Sequence, residues 1–199
     1  MYRIRISDKN KKMGNVPSVS FPPVITCGAK IPCAVKCYVV RNMVGGRYGK
    51  TIAASYAANL EFFNADRDAF FGQLARFLER RTPRFFRFHV SGDVIDADHM
   101  RRMLDTARTF PDVRFLAFSK RFELFPTRRN VPRNFALIAS LWPKWGTRPR
   151  GYRAAFMQTA DGAEKRVPSN ALECPGNCET CGACWNLDAV RRDVVFLEH

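Results

Sequence analysis

The chain has 199 residues and carries 33 Lys and Arg against 18 Asp and Glu, a formal net charge of +15 at pH 7. With 46% hydrophobic and 13% aromatic residues it can bury a core, which excludes a globally disordered chain. Its most apolar run, Phe135 to Trp142, is shorter than the roughly 20 residues a membrane-spanning helix needs, and MYRIRISDKNKKMGN at the start lacks the apolar stretch of a signal peptide. A cytoplasmic protein with no membrane partner is expected.

In chain order, Tyr2 to Ile6 alternates like a short strand, and Pro17, Pro22 and Pro23 then break regularity up to residue 26. A helix is expected from Tyr48 to Phe63 and a second from about Asp66 to Arg81. In the second, Phe70, Phe71, Leu74, Phe77 and Leu78 share one face. Phe85 to Val90 reads as a strand leading into the turn Ser91-Gly92-Asp93. Asp96 can cap a third helix with Met100, Met103, Leu104 and Ala107 on its inner face. Strands are expected at Val113 to Phe118, Phe135 to Leu141, Tyr152 to Met157 and Val194 to Leu197, with Lys144 to Gly151 as a mobile loop. This alternation predicts an α/β fold with a parallel sheet, either open or curled into part of a barrel, and a cysteine-rich knot at its C-terminal end. Residues 1–171 would form the α/β domain and 172–199 a cysteine-rich segment packed on it.

The seven cysteines fall in two groups with none between. Cys27, Cys33 and Cys37 lie in TCGAKIPCAVKCY, and Cys174, Cys178, Cys181 and Cys184 in ECPGNCETCGACW. An odd total without a secretory signal argues against a disulfide framework, and thiolates are the ligands of soft metals and iron–sulfur clusters. Four cysteines inside one short run sit nearer the spacing that wraps a four-iron cluster than that of a zinc site built from two separated pairs, although compact four-cysteine zinc sites remain an alternative. Three thiolates on a cubane leave one iron open, which is where chemistry is done. The alternative for the first group is a zinc site completed by His89, the other histidines being His99 and His199.

Candidate site groups gather where parallel folds place active sites, at the C-terminal ends of strands. Alternation along FRFHVSGD puts Phe86, Phe88 and Val90 on one face and Arg87 and His89 on the other, facing a polar cavity or solvent. Lys120, at the end of the next strand, is a second candidate, with a solvated surface lysine as the plainer reading. Asp96 and Asp98 read as helix-start charges. The basic residues are 24 Arg and 9 Lys, and Arg forks suit phosphates, so a nucleotide or nucleic acid is the expected partner unless the arginines merely solvate the surface.

The stretch KMGNVPSVSFPPVITCGAKIPCAVKCY, followed by RFHVSGD, FLAFSK and ECPGNCETCGACW, resembles the phage-associated family named for gene product 88 of a mycobacteriophage, over roughly residues 10–199. That resemblance implies a phage- or prophage-encoded protein. A three-cysteine loop, strand–helix units and a C-terminal four-cysteine group are also similar to radical S-adenosylmethionine enzymes with an auxiliary cluster. There, three cysteines hold a four-iron cluster whose open iron takes the amino and carboxylate groups of S-adenosylmethionine.

This second resemblance implies that Cys27, Cys33 and Cys37 hold the catalytic cluster and that Cys174, Cys178, Cys181 and Cys184 hold the auxiliary one. It further implies that Ser91, Gly92 and Asp93 hold the methionyl end of the cofactor and that Tyr38 packs near its adenine. Arg87, His89 and Lys120 would line the reaction cavity, and an external electron donor would be needed. The loop is C-x5-C-x3-C where that superfamily has C-x3-C-x2-C, and the turn is Ser-Gly-Asp where it has Gly-Gly-Glu. The competing expectations are a zinc-stabilised nucleic-acid-binding module without catalysis and a two-cluster electron-transfer protein.

Overall fold

The computed structural model describes residues 2–28, 31–159, 162, 164–186 and 192–197. Its elements run β1 (Ile6–Ser7), β2 (Ser18–Val19), α1 (Tyr38–Gly45), α2 (Gly49–Ala65), α3 (Arg67–Arg81), β3 (Phe85–Phe88), α4 (Ala97–Thr109), β4 (Arg114–Ser119), β5 (Phe135–Leu141), β6 (Ala154–Gln158), β7 (Leu172–Glu173), α5 (Cys178–Cys181) and β8 (Val194–Leu197). The strands form one eight-stranded sheet in the order β1-β2-β3-β4-β5-β6-β8-β7. Only the β1–β2 pair is antiparallel; the other pairs are parallel.

From β2 to β6 each strand lies beside its predecessor, so the order never reverses. Parallel neighbours need long crossovers, and right-handed crossovers between successive neighbours deliver their helices to one face. That face holds the larger core. Phe62 and Phe63 of α2, Phe70, Leu74 and Leu78 of α3, and Met100, Met103 and Leu104 of α4 pack on Phe86, Phe88, Phe115 and Phe135 of the sheet. The rings of Phe88, Phe115 and Phe135 stack across β3, β4 and β5 with centroids 5.8 to 6.3 Å apart. Their register explains this, because Phe86 pairs with Phe115 and Phe115 with Phe135 on neighbouring strands.

Local chemistry fixes the helix ends. Asp66 caps α3 by accepting the Ala69 amide at 2.8 Å, and Thr82 closes it in the left-handed region at φ 36°. Asp96 caps α4 by accepting the His99 amide at 2.8 Å. Arg67 then bridges Asp96 and Asp98 at 2.7 and 3.1 Å, tying the start of α3 to the start of α4. Asp96 and Asp98 are therefore helix-start charges, as their positions predict. Among the described residues no helix is long and apolar enough to cross a membrane.

The opposite face is covered by irregular chain. Met13, Val16 and Trp185 pack there on Phe85, Leu116, Ala136, Ile138, Ala155 and Val194, with Cys178 and Cys184 at the margin. The Trp185 indole donates to the Phe86 carbonyl at 3.1 Å, anchoring the C-terminal cysteine segment to the sheet across 99 residues of sequence. The segment also feeds the sheet directly, since β8 pairs with both β6 and β7.

Several boundaries differ from the sequence pattern. β1 begins at Ile6, and β3 ends at Phe88 instead of Val90, because His89 adopts φ 59° and turns the chain out of the ladder. The expected loop at 144–151 is pinned near its start: Arg166 donates to the carbonyls of Trp142 and Gly146 at 2.7 and 2.6 Å. β2, α1, β7 and α5 are too short to leave a periodic signal. His199 lies outside the described residues. Leu74 is 0% exposed between helix and sheet, so Leu74→Ala is expected to cost about 2–5 kcal/mol in chemical denaturation. Truncating Ile52, which is 36% exposed on α2, should cost well under half of that.

Candidate cofactor site

Residues 20–27 are locked onto the turn that follows β3. The Ser20 hydroxyl accepts the Val90 and Ser91 amides at 3.1 and 3.3 Å. The Phe21 amide donates to the Ser91 carbonyl at 3.1 Å. The Thr26 hydroxyl donates to the Pro22 carbonyl at 2.8 Å and accepts the Asp93 amide at 3.3 Å. Gly92 sits at φ 76°, and a Cβ there would approach Thr26 Oγ1 at 2.5 Å and the Phe21 carbonyl oxygen at 2.9 Å. Only glycine meets both the left-handed backbone and the close approach.

The same turn reaches β4. One Asp93 oxygen accepts the Val94 amide at 2.7 Å and the other the Lys120 amide at 2.8 Å. The Ser119 hydroxyl adds a third hydrogen bond. Burial pushes the Asp93 carboxyl up despite these donors. Asp93 therefore brings together the ends of β3 and β4 and the loop that enters Cys27, and its acceptor sites are taken by the chain itself. Ser91 Oγ, in contrast, is buried with no partner.

Cys27 lies in this junction. Burial, foremost, pushes its thiol up to about 11; Asp93 and Cys33 add to the rise and Lys120 opposes it. Metal binding here would release the thiol proton. Tyr38 opens α1 directly after Cys37, and its hydroxyl donates to the Val90 carbonyl at 3.3 Å while the residue is 52% exposed. Cys33, Cys37 and Arg87 all stand within electrostatic reach of that hydroxyl.

Arg87 and Lys120 share the sheet face that carries the cysteines. The Arg87 guanidinium lies 5.0 Å from the Phe118 ring centroid, and its Nη1 meets the Met13 sulfur at 3.6 Å. The Lys120 ammonium donates to the Ser140 hydroxyl at 2.9 Å. His89 departs from the predicted alternation. Its positive φ turns the ring away from Arg87 and into the aromatic core, where it is 2% exposed, 5.4 Å from Phe21 and 5.0 Å from His99 between centroids. Neither of its nitrogens has a hydrogen-bond partner. The strand ends one residue early, so His89 packs with Phe21 and His99 in the aromatic core and not on the sheet face that carries Arg87.

Cys174, Cys178, Cys181 and Cys184 line one hollow with Leu172, Trp185 and Val194, about 280 Å³ of atom-free space that includes open solvent. The Cys178 amide donates to the Lys12 carbonyl at 3.0 Å, and Glu179 accepts the Asn15 amide at 3.1 Å, which ties α5 to the N-terminal turn. Gly182 ends α5 at φ 58°. Burial pushes the Cys184 thiol up to about 12, against the pull of Arg153 and Arg87. Among the described residues no three His, Cys, Asp or Glu side chains converge as ligands of a single metal ion. Four soft donors around an apolar hollow with no carboxylate or imidazole in its lining fit the donor preference of a cluster.

Thr26, Ser140 and Arg153 belong to these surroundings without having been singled out in the sequence. Thr26 carries a faint signal, a hydroxyl next to the first cysteine; Arg153 carries none. The family model described as gene product 88 matches residues 4–187. No curated protein and no solved structure matches the chain.

The buried histidines make the fold acid-sensitive. Burial, then Arg87, holds His89 down at about 3, and burial with His89 holds His99 well below its usual value. Below about pH 6.5 the unfolded chain takes up protons that the folded one refuses, removing up to about 1.4 kcal/mol per pH unit for each ring. Asp93 works in the opposite sense, since a raised carboxyl pKa favours the folded state as pH falls, but one acid offsets only one ring. The urea midpoint is expected to fall between pH 7 and pH 5. A flat profile would mean that a ring is charged in the folded protein.

Proposed function

The chain belongs to the gene product 88 family, and we propose that it is an iron–sulfur enzyme of radical S-adenosylmethionine type. In this reading Cys27, Cys33 and Cys37 hold an open-iron four-iron cluster, and Cys174, Cys178, Cys181 and Cys184 hold an auxiliary one. The observation that carries the reading is the junction at the ends of β3 and β4: the loop that delivers the first thiol is bolted to the Ser91-Gly92-Asp93 turn with Lys120 alongside. Ligands of parallel α/β sheets bind at the C-terminal ends of strands. A sheet of successive neighbours with its helices on one face is also the arrangement from which a partial barrel is built.

The chemistry such a cluster supplies when bound is one-electron reduction of a ligand at its open iron. The chain's own residues have distinct tasks. Asp93 is a positioning residue that fixes the cysteine loop, because its oxygens already hold the Lys120 and Val94 amides. Ser91, whose buried hydroxyl has no partner, belongs to the turn that would hold the methionyl end of the cofactor. Tyr38 presents a half-exposed ring beside Cys37 for the adenine. Arg87 and Lys120 put positive charge on this face of the sheet, which suits a nucleotide or nucleic-acid substrate, in keeping with the net charge of +15. An electron donor completes the set of partners.

The test is anaerobic reconstitution followed by incubation with reductant and S-adenosylmethionine. Release of 5′-deoxyadenosine is expected, falling to background in Cys33→Ala while the second centre keeps its iron. Cys181→Ala should instead damage folding or electron delivery. Absence of both binding and cleavage of S-adenosylmethionine by the wild type would refute the proposal. Loss of all metal from both variants together would show that the two cysteine groups build one site.

A further inference from the structure

Five side-chain atoms among the described residues are buried without a hydrogen-bond partner, and two of them belong to arginines: Arg87 Nε and Arg153 Nη2. Four other arginines of the described residues pair with carboxylates: Arg67 with Asp96, Arg102 with Asp98, Arg121 with Glu123 and Arg166 with Glu164. Arg87 and Arg153 have no such pairing among the described residues. Arg87 meets only the Met13 sulfur and the Phe118 ring. Arg153 donates to three carbonyls, those of Arg192 at 2.8 Å and of Ala183 and Cys184 at 3.4 Å each. Asp193 lies within electrostatic reach of Arg153, but its oxygens make their hydrogen bonds to Arg148 at 2.7 Å and the Ala154 amide at 2.8 Å.

A buried guanidinium nitrogen without a hydrogen-bond partner is costly, so two of them beside one group of thiols point to a negative charge that would complete them. Their common neighbour is the second cysteine group. Both lie within electrostatic reach of Cys184, and Arg87 also of Cys178. They arrive from different parts of the sheet, Arg87 on β3 and Arg153 immediately before β6. Cys178 and Cys184 pack against the sheet beside Trp185, on the face that carries Arg87.

We infer that Arg87 and Arg153 form the counter-charge frame of an anionic metal–thiolate centre on Cys174, Cys178, Cys181 and Cys184, an inference that rests on the iron–sulfur reading of that segment. Protonated thiols are neutral and cannot neutralise the two cations. Four metal-bound thiolates carry more negative charge than the metal they hold, and hydrogen bonds and positive charge beside the sulfurs tighten such a centre and raise its reduction potential. Arg87 and Arg153 thus act through the cysteines. They are positioning residues of the second centre, and its reduction should be easier than it would be in an uncharged setting.

The experiment compares reconstituted wild type, Arg87→Met, Arg153→Met and Arg87→Lys. It follows iron release to a chelator and the potential of each centre by redox titration under electron paramagnetic resonance, with the first centre as internal control for Arg153→Met. Each Met variant should release iron from the second centre about tenfold faster and lower its potential, with Arg87→Lys in between and the first centre unchanged in Arg153→Met. The metal-free Met variants should be at least as stable as the metal-free wild type, because an unpaired buried charge has gone. Should one Met variant fail to fold, the other and Arg87→Lys decide. Release rates and potentials equal to the wild type would overturn the inference while leaving the cluster reading intact. A wild type that takes up zinc without sulfide would overturn the cluster reading alone. The frame would then stand or fall on zinc release by the same variants, since a zinc tetrathiolate is also an anion.

Discussion

Asp93 commits one carboxylate oxygen to Val94, the other to Lys120, and its own amide to Thr26. Three stretches far apart in sequence meet through this one residue: the loop that enters Cys27, the turn after β3 and the end of β4. The lock works only because Gly92 lets the turn approach Thr26 and the Phe21 carbonyl more closely than any side chain would allow. A buried acid with its hydrogen bonds satisfied inside the chain is a rigid part, and it holds the entry to the first cysteine loop in place.

The sheet divides two tasks between its faces. On one, α2, α3 and α4 bury an aromatic core that includes the neutral histidines His89 and His99. On the other, Arg87 of β3 and Lys120 stand with irregular segments that bring Cys178, Cys184 and the Trp185 anchor. The helical core and the C-terminal cysteine segment thus lie on opposite sides of a single layer of backbone. The C-terminal segment belongs to both tasks, because it supplies β8 to the sheet and four thiols to the hollow.

The long elements were legible because their signals are periodic. The apolar face of α3, the Asp96 cap of α4 and the runs that became β4 and β5 follow from spacing alone. His89 was misread because strict alternation assumes an extended backbone, and a residue at φ 59° cannot be seen in a strand pattern. Asp93 was legible as part of a turn, but its partners Thr26 and Lys120 depend on tertiary approach. Arg153 was invisible for a similar reason: an arginine before a strand is ordinary, and only a buried nitrogen without a hydrogen-bond partner sets it apart. The cysteine groups were read from spacing, and each group's surroundings, a junction of strand ends for one and an apolar hollow for the other, came only with the fold.

The central claim is that the seven thiols hold two iron–sulfur centres. Its most direct test is the iron, zinc and acid-labile sulfide content of protein purified without oxygen, with visible and electron paramagnetic resonance spectra. The account predicts about eight irons and eight sulfides per chain. About two zincs and no sulfide would contradict it and would favour a metal-stabilised binding module in its place.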